Sequence, residues 1–346
     1  MHKYFITQLI SFFMYTILIV GFGSIGKRHL ENILTNFNAK IIVCTKRKDL
    51  VKFQKKGVVI VNSLDDAFLY KPNIAFITNE TSFHVKTAII LAKYGINLFL
   101  EKPLSNSMVG VKKLHSIISK NKLITQIGCN FRFHPCLIKI KKLLDKGELG
   151  RIISVQVESS SHLPDWHPYE DYRHGYAARD DLGGGISLTC IHELDFLYWF
   201  FGDIDKVFSI TGKYSDLEVS SDDLSAMIMI FKNNIIGELH LDYFQRPDFK
   251  SCKIKGTRAT LYWDSSSNEV KIFNQKKKQW KIIMKLLNFD KNLMYVNELK
   301  HFFKCIKDKN KTINDINDGI KTLQVVLCAK QSSQSRKLTS VKKKLI

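Results

Sequence analysis

Thr16-Ile17-Leu18-Ile19-Val20, running straight into Gly21-Phe22-Gly23-Ser24-Ile25-Gly26, is the stretch whose reading settles the first half of this chain. An apolar run of strand length meets a G-x-G-x-x-G pattern with no spacer. Ser24–Asn36 then follows as an amphipathic helix with Ile25, Leu30, Ile33, Leu34 and, just beyond it, Phe37 on one side. Three glycines alone are weak, but a strand before them and a helix after them make the pattern informative. In that setting Gly21 allows a tight turn, Gly23 lets backbone approach a pyrophosphate, and Gly26 lets helix and strand pack closely. Phe22, Ser24 and Ile25 complete the loop, and the helix start offers free N–H groups and a positive dipole end.

The same alternation continues outward. Strand-like runs at Lys40–Cys44, Val58–Ile60, Ile74–Ile77, Asn97–Leu100 and Leu123–Ile127 are separated by helical patterns, among them Thr81–Tyr94 and Ser107–Lys120. Ser63 with Asp66 three residues later reads as a helix-capping pair. Strands alternating with helices predict a doubly wound parallel sheet. In such sheets ligands bind outside the carboxyl ends of the strands. The second strand ends in Cys44-Thr45-Lys46-Arg47-Lys48, with no acid before Asp49. A hydroxyl and two cations, Thr45, Lys46 and Arg47, suit a ribose 2′-phosphate better than a free hydroxyl. NADP(H) is therefore expected over NAD(H), the plainer alternative being a solvated helix start. The strand Asn97–Leu100 ends in Glu101-Lys102-Pro103. A surface turn would explain the proline, but the position at the carboxyl edge of the sheet puts Lys102 where a nicotinamide would lie.

Composition narrows the partners. The 346 residues suit about two domains, and 53 Lys and Arg against 32 Asp and Glu give a formal charge of +21. Such an excess suggests nucleic acid or a membrane surface. Here the lysines are spread along the chain; only Lys276–Lys278, in an expected hairpin, and Lys342–Lys344, in an expected basic tail from 332 to 346, form runs. No nucleic-acid motif accompanies them, so neither partner is expected. Seven cysteines without a C-x-x-C pair read as free thiols of a cytoplasmic protein, and no metal site is expected. Residues 1–13 are apolar but too short to span a bilayer; with Met14 a natural start, they read as a dispensable extension.

Beyond the first domain the pattern turns β-rich. Leu224–Phe231 and Ile235–Phe244 flank an Asn233-Asn234 turn, and Lys250–Lys255 and Ala259–Asp264 flank Gly256. Helical patterns return at Leu293–Lys307 and Asp315–Lys330.

Together these residues resemble the glucose–fructose oxidoreductase and inositol dehydrogenase (Gfo/Idh/MocA) family, from about Tyr15 to Gln331. The resemblance is carried by the glycine loop through Arg28, by Thr78, Asn79 and His84, by Glu101-Lys102-Pro103, by Phe131-Arg132-Phe133-His134-Pro135, and by Leu182-Gly183-Gly184-Gly185 followed by His192-Glu193-Leu194-Asp195. It implies a Rossmann domain over 14–134. A substrate domain over 135–331 would follow, an open, mostly antiparallel sheet with helices on one face and a homodimer or homotetramer contact on the other. It places Thr78, Asn79, His84, Glu101 and Lys102 at the cofactor, and Lys102 and Arg132 at the substrate. It gives Lys102 and His192 the chemistry, with Glu101 orienting the lysine. Burial and a cationic nicotinamide would lower the Lys102 pKa. Many members carry an aspartate about one turn before the histidine; here that position is Thr189, which shares a helix face with His192 but holds no charge.

His162–Arg179, HLPDWHPYEDYRHGYAAR, is aromatic, charged and aperiodic. Trp166 and Tyr172 suit stacking on a sugar, and Arg173 and Arg179 suit a phosphate or carboxylate; an ordinary surface loop is the alternative. The LPDW and DYR elements, with the downstream Gly triplet, resemble a subgroup linked to bacterial surface sugars and imply an amino sugar, sugar phosphate or nucleotide sugar. A non-catalytic cofactor-binding sensor, or a redox-neutral enzyme using transient oxidation, remain the competing readings.

Overall fold

The computed structural model describes residues 15–47, 50–275 and 277–341. The extension at 1–13, Met14, Lys48, Asp49, Lys276 and the lysine run at 342–344 lie outside the described residues. The first unit is β1 (Tyr15–Val20), α1 (Ser24–Asn36), β2 (Ala39–Cys44), α2 (Val51–Gln54), β3 (Val59–Val61), α3 (Leu64–Phe68), β4 (Ile74–Ile77), α4 (His84–Lys93), β5 (Asn97–Leu100), α5 (Val111–Asn121) and β6 (Thr125–Ile127). Its strands form one parallel sheet in the order β3-β2-β1-β4-β5-β6. The strands are covered on both faces, so they read as near-continuous apolar runs; all four residues of β4 are buried. The order reverses between β1 and β4, and the loops after both open at the same carboxyl edge.

Local signals are visible where they were expected. Ser63 Oγ accepts the Asp66 N–H at 3.1 Å and caps α3. The Ser107–Lys120 helix instead starts at Val111, because Gly110 takes a left-handed φ of 77° at the N-cap and ends the preceding turn.

The second unit is α6 (Pro135–Asp145), β7 (Ile152–Ser160), α7 (Ile186–Thr189), α8 (Ile191–Phe201), β8 (Ile204–Gly212), β9 (Leu224–Phe231), β10 (Ile236–Asp242), β11 (Phe249–Gly256), β12 (Thr260–Asp264), β13 (Glu269–Asn274), β14 (Gln279–Lys285), α9 (Asn292–Asp308), α10 (Ile316–Ser335) and β15 (Thr339–Ser340). Nine strands run in the order β14-β13-β12-β11-β7-β10-β9-β8-β15, and only β7 with β10 is parallel. The basic tail expected from residue 332 begins inside α10, and Thr339 and Ser340 pair with the edge of β8.

Two hydrophobic clusters hold the molecule. One joins a face of the parallel sheet to the second unit. The other packs Ile17, Ile19, Ile41, Val43, Phe76 and Phe99 of the opposite face against Leu30 and Ile33 of α1 and against Leu299, Phe302 and Phe303 of α9. A helix from the second half thus covers the nucleotide sheet, and the two units share a core. His162–Arg179 is a chain of short 3₁₀ turns, as its lack of period suggested.

Candidate active site

The glycine loop has the shape its sequence predicts. Gly21 takes φ of 89°, and a Cβ there would lie 2.5 Å from the Asn79 backbone nitrogen. A Cβ on Gly26 would meet Gly21 O and Thr78 Oγ1 at 2.7 Å. Gly23 has nothing within 4 Å, so its backbone faces open space at the start of α1. No side chain caps that helix start. Thr78 Oγ1 donates towards the carbonyls of Val20 and Gly21, at 3.1 and 3.0 Å, and ties β4 to the loop. Asn79 donates to Thr87 and leaves its buried Oδ1 without a partner. An open cradle, uncapped helical N–H groups and an orphaned amide oxygen fit a dinucleotide. Phe22 is the exception: it turns inward, edge-on to Phe53 at 5.5 Å. Ser24 stays exposed and Ile25 half-buried.

At the ribose position Lys46 and Arg47 are exposed. The Arg47 N–H donates to Thr45 Oγ1 at 3.2 Å, and its guanidinium reaches back to the Phe22 carbonyl at 3.4 Å.

Glu101, Lys102 and His84 take three different roles. Glu101 is buried; it accepts from His29 Nε2 at 2.7 Å and from the Lys102 backbone N–H at 3.2 Å. It fixes the turn, and its charge also acts on the Lys102 ammonium. His84 is buried, with its ring nitrogens against the carbonyls of Pro103 (2.8 Å) and Asn79 (2.9 Å), so it joins the lysine turn to the cofactor loop without facing a ligand. Burial holds its pKa below the usual value, against the pull of those carbonyls.

Lys102 reaches across the domain boundary and donates from Nζ to the Thr189 carbonyl at 2.8 Å. Burial opposes its charge, but Tyr176, Cys190, Glu101 and Tyr295 outweigh burial and hold the pKa above its ordinary value. Burial alone therefore does not lower it on balance. His192 lies in the same place, stacked on Phe131 at 4.9 Å and 22°. Burial, then the cations Lys102 and Lys250, push its pKa well below the usual value, so the ring is neutral. Nδ1 is enclosed and unpartnered. Thr189 supplies its carbonyl to Lys102, while its buried hydroxyl has no hydrogen-bond partner.

Other expected substrate contacts are committed elsewhere. Arg132 is 3% exposed and forms a fork on Asp195 at 2.8 and 2.9 Å. Its Nη1 donates to Asp318 at 3.1 Å and to the Ile313 carbonyl. It braces the interdomain segment against α8 and α10. Arg173 pairs with Asp171 and Glu218, and Arg179 with Asp181, all near the surface. Trp166 donates to Ser161 at 2.9 Å and packs edge-on to Tyr243, while the Tyr172 hydroxyl accepts the Glu218 N–H.

Sequence reasoning missed Tyr176 and Tyr295, both close enough to act on Lys102, and Lys250. Lys250 Nζ donates to Glu193 Oε1 at 2.8 Å and to Ser159 Oγ. A signal for it existed. Along β11, Lys250 shares its face with Cys252 and Ile254, both fully buried. A lysine on the inward side of a strand is unusual.

Two family models cover most of the chain: an oxidoreductase family NAD-binding Rossmann fold over residues 15–129, and an oxidoreductase family C-terminal alpha/beta domain over residues 141–342. The chain belongs to the Gfo/Idh/MocA oxidoreductase family. It is 22% identical to a myo-inositol 2-dehydrogenase of Thermotoga maritima, over 92% of this chain and 96% of that one. It is 24% identical to a scyllo-inositol 2-dehydrogenase (NAD(+)) of Bacillus subtilis, over 91% and 92%. Its fold matches a levoglucosan dehydrogenase solved with NADH at a TM-score of 0.85, with 15% identity, covering 95% of this chain and 99% of that one. This Gfo/Idh/MocA oxidoreductase thus has its glycine cradle, Lys102 and His192 at one edge of the nucleotide sheet.

Proposed function

We propose that the protein is a cytoplasmic NAD(P)-dependent dehydrogenase or reductase that acts on a CH–OH group of a sugar derivative. The convergence of Lys102 and His192 beside the open glycine cradle carries this reading. The cofactor would rest on Gly21–Gly26, Thr78 and Asn79, and when bound it supplies a hydride acceptor or donor at the nicotinamide. In oxidation, Lys102 Nζ donates to the reacting oxygen and stabilises its developing negative charge. Neutral His192 takes the hydroxyl proton at Nε2; in reduction it returns that proton. Residues 14–134 carry the cofactor and 135–331 the substrate.

Finer points extend this reading. Thr45, Lys46 and Arg47 favour NADP(H) over NAD(H), since a hydroxyl and two cations follow the second strand before Asp49. The His162–Arg179 loop favours an amino sugar, sugar phosphate or nucleotide sugar used in surface-glycan synthesis. The uncovered face of the large sheet, with Ile210 and Ile228 half exposed, favours a homodimer or homotetramer.

The test mixes purified protein with NADPH, NADH or their oxidised forms and a panel of neutral, amino and phosphorylated sugars, followed by nicotinamide absorbance. Cofactor-dependent turnover is expected, faster with the phosphorylated cofactor. Tight cofactor binding with no turnover on any sugar would favour a sensor instead.

A further inference from the structure

Lys250 takes the reading further. It stands opposite Ser159 in the β11–β7 register and holds Glu193 and Ser159 with two of the three N–H bonds of an ammonium. Its Nζ lies 5.5 Å from the centre of the Phe131 ring on which His192 stacks. About a third of its side chain, 32%, still opens to the surroundings.

Two ammonium groups act on His192. Lys102 and Lys250 both lie near it. Among the described residues, Glu193 is the one carboxylate bonded to either ammonium. Glu101 bonds His29 and acts on the Lys102 ammonium through its charge alone, and Thr189 offers a neutral carbonyl where a carboxylate was expected from the resemblance. Lys250 keeps one N–H and part of its side chain open beside the Phe131–His192 stack. An ammonium N–H without a partner is a strong donor to an anionic oxygen.

We propose that Lys250 anchors an acidic substituent, a carboxylate or a phosphate, on the sugar substrate, so that the enzyme selects acidic sugars over neutral ones. This rests on the oxidoreductase reading above. Lys250 and Glu193 then act as one unit: the carboxylate fixes the ammonium, and the ammonium's free donor meets the ligand.

Calorimetric titration of the full chain saturated with NADPH tests it, using D-glucuronate, D-glucose 6-phosphate and D-glucose as probes. At least one acidic probe should bind about tenfold tighter than glucose, the scale of one charge-assisted hydrogen bond. Which acidic probe binds tells carboxylate from phosphate. Lys250→Gln should abolish the preference, Lys250→Arg should keep it, and NADPH binding by both variants reports that they are folded. Equal affinity for all three sugars, or a preference that survives Lys250→Gln, overturns the proposal. Turnover on neutral sugars without acid preference would remove this inference and leave the function standing. Lys250-dependent acid binding without any turnover would do the reverse.

Discussion

Lys102 and His192 form a donor and an acceptor of opposite protonation at neutral pH. Burial and two neighbouring ammonium groups keep the imidazole neutral, while Lys102 stays charged. Thr189 ends α7 and His192 lies in α8, so the two do not share one helix as expected, and Thr189 brings no carboxylate to this cluster. Thr189→Asp should raise the His192 pKa and move the acid limb of the pH–rate profile upward by about one pH unit. An unmoved limb would show that another group controls it. At this scale the sequence was legible where a residue's neighbours in the chain define its geometry, as at Gly21 and Gly26. It misled at Arg132, whose partner Asp195 lies far along the chain. It was silent on Lys250, one lysine among many until its strand face is known.

Elements place these residues, and their ends carry their own chemistry. His134 is the N-cap of α6: its Nδ1 accepts the Cys136 N–H at 3.2 Å. Burial, with Lys291 nearby, lowers its pKa from 6.5 to about 4. The unfolded chain therefore takes up this proton first as pH falls. The contribution is fully present above pH 6.5 and declines towards pH 4, by up to about 3 kcal/mol. Chemical denaturation of the wild type and His134→Asn at pH 7 and pH 4.5 would show a smaller pH-dependent loss in the variant; equal losses would remove this role. The parallel strands and their helices could be read from period alone, since burial on both faces produces unbroken apolar runs. β7, β8 and α8 could not: β7 mixes polar and apolar positions, and α8 is apolar nearly all round, without a clear stripe.

The whole molecule is held by long-range links that no local pattern announces. α9 packs on the nucleotide sheet, and Arg132 ties the interdomain segment to Asp195 and Asp318. Arg132→Leu would leave Asp195 buried without its cation. Such a break costs about 3–5 kcal/mol, read as a fall in denaturation midpoint with KM for the sugar unchanged in the folded fraction. A raised KM with unchanged stability would return Arg132 to the substrate. Two domains were foreseeable from the order of strands and helices, but their shared core was not. α9 carries an ordinary amphipathic pattern, and nothing in it says which sheet it will cover.

Lys102→Met assayed beside the wild type, with cofactor affinity and turnover measured on the same samples, bears most directly on the reaction itself. Turnover should fall by about 100-fold or more, the scale of losing a transition-state donor, while cofactor affinity stays within about twofold because Lys102 bonds the Thr189 carbonyl and not the glycine cradle. A methionine variant that turns over sugar like the wild type, or a wild type that binds no nicotinamide cofactor, would refute it.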